Sequence, residues 1–293
     1  MKGFDLLRQD YKLPGVASGI VTQRYYDGKR QEVLLSVPKE NSLALFVNGQ
    51  ELVTINCSPT MLNFLVLGYL FGEGIIDRIE DVLMLGVCED EAIANVILKK
   101  KDFIAPEKKI ITSGCGGGTT FTEDFSEEIN SELFTEPENI FLLVRSMLKN
   151  TENYHESGGI HASALCDCGG IISMSEDIGR HNTIDKIVGE CIYNKIPTED
   201  KILITTGRIS SEMLRKAVKL KIPIVASLTS PTEMAVRLAR ELNVTLIGYV
   251  RSNKMTLYSC PDRIKNKINI KVNDSCSDSQ LTQVAGENYR CQE

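Results

Sequence analysis

The chain has 293 residues, of which 42% are hydrophobic and 25% are charged, as is usual for a folded globular protein. No run approaches the ~18 consecutive apolar residues of a membrane span, and a net charge of −6 argues against binding nucleic acid through overall charge. The N-terminal residues lack the apolar core of a secretory signal, and the nine cysteines form no dense disulfide framework. We therefore expect a cytoplasmic protein of roughly two domains.

Residues 1–135 are predicted to form a β-rich domain. Asp27-Gly28 and Asn48-Gly49 are dipeptides that favour the positive backbone angles of two-residue hairpin turns. Strand-like stretches, Leu43–Val47 and Glu51–Ile55, flank the second dipeptide, which predicts a hairpin there.

A buried helix is predicted next, over Thr60–Phe71, because this stretch is apolar almost all round. Ser58 is its predicted N-cap and Pro59 its first helical residue, and the helix is expected to end at Gly72-Glu73-Gly74. A second β region is expected over residues 81–100, followed by a strand that leads into a glycine-rich loop.

Residues 136–271 alternate strands and helices, which predicts a layered α/β domain with a largely parallel sheet. The boundary is placed near Thr135, and residues 272–293 are predicted to be a polar, disordered tail. The predicted helices are Pro137–Asn150, Asn182–Tyr193, Ser210–Leu220 and Pro231–Leu242. The predicted strands are Ala162–Cys166, Gly170–Ser175, Lys201–Thr206, Pro223–Leu228 and Thr245–Val250.

The glycine-rich loop, Ile111–Thr119, places Cys115 among four glycines. Glycines give a thiol steric access, and backbone N–H groups there can stabilise a thiolate or a bound anion. The alternative is a mobile loop that carries an incidental cysteine.

Three polar clusters, at residues 158–161, 176–186 and 206–212, lie at the ends of predicted strands or at the starts of predicted helices. Ligands bind beyond the carboxyl ends of strands in α/β sheets, and helix N-termini there suit phosphate. Arg180 and Arg208 are expected to add bidentate contacts to such a ligand.

Each cluster also has a structural interpretation. Asp177, His181 and Asp185 are candidates for a buried polar network, while Ser210 and Ser230 are candidates for plain helix caps, the latter as part of a capping box with Pro231 and Glu233. A metal site built from Cys166, Cys168 and either His161 or His181 is a further alternative, although C-x-C alone is a weak signal. Serine hydrolysis is discounted because the G-x-S-x-G motif is absent.

The motifs of these clusters, in order along the chain, resemble the FdhD family of formate dehydrogenase accessory proteins. They are IHASAL, EDIGRHNTIDKIVGE, TTGRISSEMLRKAV, ASLTSPTEMAVRLA and LIGYVRSNKMTLYS, and the upstream segment LFVNGQELVTINCSPTMLNFLVLGYLFGEGII is similar to the same family's N-terminal region. The resemblance runs from about Phe46 to Ile264. It implies a cytidine-deaminase-like fold for the second domain, and a homodimer.

The resemblance also implies a sulfur carrier. A cysteine desulfurase would supply sulfane sulfur as a persulfide, which passes to the molybdenum cofactor of formate dehydrogenase. That acceptor is a bis-molybdopterin guanine dinucleotide, so guanine nucleotides should act as partial mimics. Cys115 matches the family's persulfide-carrying cysteine.

The cofactor-binding residues that the resemblance and the polar clusters together suggest lie in the second domain. They are Tyr249, Val250, Arg251, Ser252, Asn253, Lys254, Arg180, His181 and Arg208. No resident metal is expected. One departure from the family pattern is Gly118, which stands where the family has a second loop cysteine, so Cys115 is expected to work without a nearby resolving thiol unless Cys166 or Cys168 replaces it.

Two other functions remain open on the sequence alone. A zinc-dependent deaminase would need H-x-E paired with P-C-x-x-C, and neither motif is present. The second is a non-catalytic chaperone that binds and delivers the cofactor without handling sulfur. It is favoured because Gly118 stands where the family has a second loop cysteine.

Overall fold

The computed structural model describes residues 13–88, 90–100, 103 and 127–265. The strands of these residues are β1 (Val16–Tyr26), β2 (Lys29–Pro38), β3 (Asn41–Val47), β4 (Gln50–Cys57), β5 (Val82–Cys88), β6 (Ile93–Leu98), β7 (His161–Asp167), β8 (Gly170–Asp177), β9 (Ile202–Thr205), β10 (Ile224–Ser227), β11 (Thr245–Arg251) and β12 (Lys254–Ser259). The α-helices are α1 (Leu62–Gly72), α2 (Pro137–Lys149), α3 (Glu152–Ser157), α4 (Arg180–Asn194), α5 (Ser211–Lys219) and α6 (Glu233–Glu241).

Both predicted hairpin turns are confirmed. Asp27 and Gly28 join β1 to β2, with φ of 48° and 73°, and Asn48 and Gly49 join β3 to β4, with φ of 50° and 81°. The first hairpin forms a two-stranded sheet by itself, and the second belongs to a four-stranded sheet of order β4-β3-β6-β5. The predicted β region over residues 81–100 supplies β5 and β6 of that sheet.

The prediction of a buried α1 is confirmed, but the predicted start of the helix is wrong. The helix begins at Leu62 after Met61, which has left-handed backbone angles and makes no capping bond with its side chain. Ser58 instead donates its N–H to Asp177 Oδ2 at 3.0 Å, and its Oγ accepts from the N–H of Ile178 at 3.2 Å. Ser58 therefore fastens α1 to a distant strand end, which a local capping pattern does not reveal.

The backbones of α1 and α4 approach each other at two glycines. A Cβ on Gly68 would lie 1.8 Å from the carbonyl oxygen of Asp185, and one on Gly189 would lie 1.9 Å from that of Phe64. No larger residue fits either position without moving a helix. This contact joins α1, which packs with the four-stranded sheet, to α4, which packs with the second, six-stranded sheet.

The second sheet has six strands in the order β12-β11-β10-β9-β7-β8. Only β9, β10 and β11 are parallel, whereas β7, β8 and β12 run antiparallel to their neighbours. The expectation of a largely parallel sheet is therefore correct for the centre and wrong for the edges. Two-residue turns join β7 to β8 and β11 to β12, and such turns can only connect antiparallel strands.

Helices cover both faces of the six-stranded sheet, which confirms the predicted α/β/α layers. Side chains of α2, including Ile140 and Met147, pack on one face, while α4, α5 and α6 pack on the other. Ser210 caps α5 as predicted, accepting from Met213 N–H. Ser230 does not cap α6, because Thr232 does, accepting from Ala235 N–H.

One hydrophobic cluster spans both sheets. It includes Leu43 and Leu45 of the four-stranded sheet, Leu67 of α1, and Leu203 and Leu246 of the six-stranded sheet. The domain boundary predicted near residue 135 stays a prediction. The predicted strand before the glycine-rich loop, the loop itself and the predicted tail 272–293 lie outside the described residues. None of the described helices is both long and apolar enough to cross a membrane.

Candidate functional site

One edge of the six-stranded sheet collects most of the predicted site residues. The carboxyl ends of β8, β9, β10 and β11 lie at this edge, and β7, antiparallel to β9, begins there with His161. Arg180 and His181 follow β8, Arg208 follows β9, and the segment Tyr249–Lys254 comprises the end of β11, the two-residue turn and the start of β12. Strand topology therefore brings together residues that lie up to 74 positions apart in the sequence.

Hydrogen bonds tie the loops of this edge into a continuous rim. Ser227 donates its hydroxyl to the carbonyl of Gly207 at 2.7 Å. Arg251 donates its Nε–H to the carbonyl of Leu228 at 3.1 Å, and the N–H of Tyr249 donates to the carbonyl of Thr229 at 3.1 Å. The rim is thus ordered across β9, β10 and β11.

Three helices, α4, α5 and α6, begin at the rim. Free N–H groups and the positive dipole end make helix N-termini favourable to anions. Arg208 and Arg251 are exposed beside them. The rim thus combines helix N-termini with exposed guanidinium groups, although Glu212 and Glu233 lie in the first turns of α5 and α6.

His181 lies at the centre of a small polar group. Its Nε2 is 3.3 Å from Ser210 Oγ and 3.3 Å from Glu212 Oε2, with the His181 and Glu212 side chains only 16% and 13% exposed. Ser210 thus both caps α5 and contacts His181. Glu212 was part of a sequence cluster, but nothing in the sequence marks it as the partner of His181.

Arg180 packs directly against Gly207. A Cβ on Gly207 would lie 2.8 Å from Cβ of Arg180, so glycine is the residue that lets the β9 loop approach this side chain. The Arg180 side chain is held between the two loops rather than projecting freely.

His161 is a site residue that sequence reasoning placed in a cluster but did not select. Its Nδ1 lies 3.5 Å from Thr206 Oγ1. Burial lowers the pKa of His161, the charge of Arg180 lowers it further, and the charge of Asp177 opposes both effects. A neutral imidazole at this position accepts or donates hydrogen bonds without adding charge.

The Tyr249–Lys254 turn is shaped by three residues with positive φ, Tyr249 (52°), Ser252 (45°) and Asn253 (63°). Asn253 Oδ1 accepts from Arg145 Nη2 at 2.7 Å, which fixes the turn to α2. The side chain of Val250 is 1% exposed and packs in the core, so Val250 can offer a ligand only its backbone. Arg251 and Lys254 are exposed.

A buried ion pair lies beneath the start of α4. Lys186 Nζ is 2.5 Å from Asp177 Oδ2, and both side chains have no exposed surface. Asp177 Oδ1 accepts from the N–H of Gly179 and from Asn182 Nδ2, both at 2.8 Å. Asp177 thus holds the turn that carries Arg180 and His181.

A second buried pair, between Asp185 and Lys216, lies one helical turn on. Lys216 Nζ is 2.6 Å from Asp185 Oδ1, with side-chain exposures of 6% and 3%. Burial alone would lower the pKa of Lys216, but the charges of Asp185, Glu73 and Glu212 outweigh burial and raise it. The predicted buried network is confirmed for Asp177 and Asp185, with lysines rather than His181 as their ion-pair partners.

Cys115 lies outside the described residues, so its surroundings are not described. Burial raises the pKa values of Cys57, Cys166 and Cys191 to about 12 each. Thiols with such pKa values are almost entirely protonated at neutral pH and unreactive as nucleophiles. Cys166 therefore does not suit the role of a replacement resolving thiol, whereas Cys168 is exposed.

The alternative metal site does not assemble. His161 and Cys166 lie at opposite ends of β7, about 16 Å apart at the usual rise of a strand. Within residues 13–88, 90–100, 103 and 127–265, no group of three or more His, Cys, Asp or Glu side chains is placed to hold a metal ion.

Comparison with known proteins identifies the family. The model of the FdhD/NarQ family matches residues 38–265, which include every strand and helix from β3 onward. The chain belongs to the FdhD/NarQ family. This assignment agrees with the resemblance carried by the rim motifs.

Curated relatives of this FdhD/NarQ protein are named sulfur carrier protein FdhD. Those from Bacillus licheniformis and Listeria monocytogenes are 36% and 39% identical to it over 251 residues. Each match covers 83% of this chain and 95% or 96% of the relative. A crystal structure described as a formate dehydrogenase accessory protein from Desulfotalea psychrophila has the same fold, with a TM-score of 0.73 and 24% identity, covering 86% of this chain and 100% of that one.

Proposed function

We propose that this FdhD/NarQ protein is a cytoplasmic, homodimeric sulfur carrier required for formate dehydrogenase activity. It accepts sulfane sulfur from a cysteine desulfurase on Cys115 and transfers it to the bis-molybdopterin guanine dinucleotide molybdenum cofactor of formate dehydrogenase. The observation that carries the proposal is the family match over residues 38–265, a range that includes the glycine-rich loop of Cys115.

The proposed chemistry begins with a thiolate exchange. The Cys115 thiolate attacks the terminal sulfur of the desulfurase persulfide, a new S–S bond forms, and the desulfurase thiolate leaves. The S–S bond on Cys115 then breaks, the Cys115 thiolate leaves with its electron pair, and the sulfane sulfur passes to the acceptor cofactor, whose reduced form would supply the two electrons that convert it to sulfide. Glycines on both sides of Cys115 favour access by two large partners in turn.

The rim is the proposed binding site for the cofactor's phosphates and guanines. Arg180, Arg208 and Arg251 provide guanidinium groups, which bind phosphate bidentately, and Lys254 adds a further positive charge. His181, Tyr249, Ser252 and Asn253 supply hydrogen-bonding groups, and Val250 supplies its backbone. Guanine nucleotides should occupy part of the same site.

Persulfide formation on Cys115 is tested by intact-protein and peptide mass spectrometry. After incubation with a cysteine desulfurase and cysteine, the Cys115 peptide should gain ~32 Da, the mass of one sulfur atom, and lose it on reduction. Cys115→Ala should abolish this gain and the activation of formate dehydrogenase. Cys88→Ala and Cys168→Ala, which remove the exposed thiols of the described residues, are matched controls that should retain both. A Cys115→Ala protein that still activates formate dehydrogenase would overturn the proposal.

A second candidate function, a chaperone that delivers the cofactor without handling sulfur, is favoured by Gly118. Cys115→Ser separates the two functions, because a chaperone would keep both nucleotide affinity and formate dehydrogenase activation. A sulfur carrier would keep the affinity and lose the activation. Arg251→Ala should weaken binding of guanine nucleotide by calorimetry in either case, which tests the placement of the site alone.

A further inference from the structure

The hairpin of β1 and β2, residues 16–38, stands apart from both larger sheets. We call it the arm. It forms a two-stranded sheet in which each strand pairs only with the other among the described residues, so its outer edges present backbone N–H and C=O groups. A lone two-stranded ribbon is at best marginally stable in water.

The base of the arm is fixed to the rest of the molecule. Ser36 donates its hydroxyl to Glu156 Oε1 of α3 at 2.5 Å. Gly159 lies against the Pro38 ring, where a Cβ would be 3.0 Å away, and the N–H of Lys39 donates to the carbonyl of Gly15 at 2.9 Å. These contacts hold the arm in a defined direction, while its distal residues are almost all exposed.

Large apolar side chains of the arm are exposed on both of its faces. Val21 faces Leu34 across the hairpin and Ile20 faces Leu35, so the two pairs project to opposite faces. Seven of the arm's residues are exposed large hydrophobics: Ile20 (43%), Val21 (62%), Tyr25 (71%), Tyr26 (75%), Leu34 (68%), Leu35 (36%) and Val37 (37%). The arm thus carries a large share of the exposed apolar surface of the described residues.

The exposed area is large enough for a stable interface. Tyr25 and Tyr26, each about three-quarters exposed, leave roughly 300 Å² in contact with solvent. The five aliphatic side chains add area of the same order, which approaches the ~800 Å² that each partner contributes to a standard protein interface. An uncovered apolar ribbon of this kind would also promote aggregation.

The edge of β2 is suited to pairing with a copy of itself. Its central stretch, Val33–Val37, carries no charge, and no bulge interrupts it, whereas β1 has a register shift between Ala17 and Ile20. A strand that pairs antiparallel with its own copy satisfies two-fold symmetry, the commonest symmetry of protein dimers. Pairing centred on Leu34 sets Val33 opposite Leu35 of the second copy and Glu32 opposite Ser36, so no like charges face each other.

We propose that the arm is the dimerisation element of this protein. The β2 edges of two copies pair antiparallel about a two-fold axis near Leu34, and the apolar side chains on both faces are buried against the second copy. This gives a location to the homodimer of the proposed function and depends on no step of sulfur transfer.

The test is the oligomeric state of the full chain, measured by sedimentation velocity over a range of concentrations. The wild-type chain should have twice the 32.5 kDa mass of one copy. Leu34→Lys places two positive charges at the axis and should weaken dimerisation at least tenfold. Leu142→Lys on α2 is the matched control, since Leu142 is 60% exposed and Leu34 is 68% exposed, and it should leave the dimer intact.

A positive test uses cross-linking. In a background of Cys88→Ala, Cys115→Ala, Cys168→Ala, Cys276→Ala and Cys291→Ala, Leu34→Cys should form a disulfide-linked dimer on mild oxidation, and Leu142→Cys should not. A wild-type chain that is monomeric at every concentration overturns the proposal, as does a dimer that Leu34→Lys does not weaken. Sulfur loading of Cys115 is measured separately, so failure of the arm proposal is distinct from failure of the sulfur-carrier proposal.

Discussion

At the scale of single residues, Lys216 is a buried lysine whose charge interacts with three carboxylates. It bonds to Asp185 and is the positive charge closest to that carboxylate, with Glu73 and Glu212 also acting on it. Lys216→Met should lower the free energy of unfolding by ~3–5 kcal/mol, because it removes the partner of the buried Asp185 carboxyl, whose pKa burial already raises, so that Asp185 must be buried unpaired or take up a proton. Urea denaturation at pH 7 measures this change.

Two further variants control the experiment. Lys216→Met combined with Asp185→Leu should cost less than Lys216→Met alone, since the Asp185 carboxyl is then no longer left without a partner, and strictly additive costs would contradict this account. Lys195→Met removes the exposed pair of Lys195 with Glu80, whose side chains are 71% and 45% exposed, and should change the free energy of unfolding far less than Lys216→Met does.

The pH dependence of this contribution follows from the raised pKa of Lys216. A lysine whose pKa is raised above 10.5 by folding contributes stability that is fully present below that value. The contribution is lost as the pH rises through the folded-state pKa. The stability difference between wild type and Lys216→Met should therefore persist at neutral pH and shrink in strong alkali, and it should also shrink in acid as Asp185, whose pKa burial raises, takes up a proton.

The sequence does not reveal these pairings. Lys216 and Lys219 are lysines of the same short helix, yet one is buried against Asp185 and the other lies over the ring of Phe71. Helical periodicity places Lys216 on a face, but only the position of α4 decides whether that face meets a carboxylate. Arg180 and Arg208 were easier to select, because they lie in polar clusters at predicted strand ends or helix starts, and Arg251 was selected through the family resemblance.

At the scale of elements, the contact between α1 and α4 depends on Gly68 and Gly189. Alanine is about 1 kcal/mol better than glycine in a helix by intrinsic propensity, so Gly189→Ala would stabilise an isolated α4. In the protein, a Cβ would lie 1.9 Å from the carbonyl oxygen of Phe64. We expect Gly189→Ala to destabilise the protein by about 3 kcal/mol, measured by thermal or urea unfolding.

Gly86→Ala is the matched control for this prediction. Gly86 lies in β5, where an added Cβ meets nothing within 4 Å. This substitution should change the stability by less than ~1 kcal/mol. Equal effects of the two substitutions would show that helix packing does not limit residue size at position 189.

Local signals predicted most elements, and long-range contacts explain the errors. The turns at Asp27-Gly28 and Asn48-Gly49 were predictable because backbone preferences of adjacent residues decide them. Ser58 was wrongly predicted as a cap because its polar groups bond to Asp177 and Ile178, far away in the sequence. The exposed arm was equally hidden, since a β-strand pattern does not say whether another layer covers it.

At the scale of the whole molecule, α1 belongs to the core of both sheets. It comes from the N-terminal half of the chain, yet Leu67 and its neighbours pack in a cluster that also contains Leu45 of the four-stranded sheet and Ile187 of α4. The ion pair of Lys186 with Asp177 adds contacts to Ser58 and Thr60 from the same side. Separating the two sheets would therefore expose apolar surface and a buried charge pair together.

Hydrogen exchange measured by mass spectrometry tests how far this shared core couples the two halves. Because α1 cannot separate from α4 without exposing both helices to solvent, the amides of α1, α4 and β3 should exchange only through one shared opening of the structure, with the same opening free energy. Amides of β12, an edge strand in which half of the residues are exposed, should exchange at lower free energy and serve as an internal reference. Gly189→Ala should lower the opening free energy of β3 and α4 equally, although Gly189 lies in only one of them. If β3 instead keeps its wild-type protection while α4 loses its protection, the two halves on either side of the predicted boundary near residue 135 unfold independently. The hydrophobic core shared through α1 would then not make them one cooperative unit.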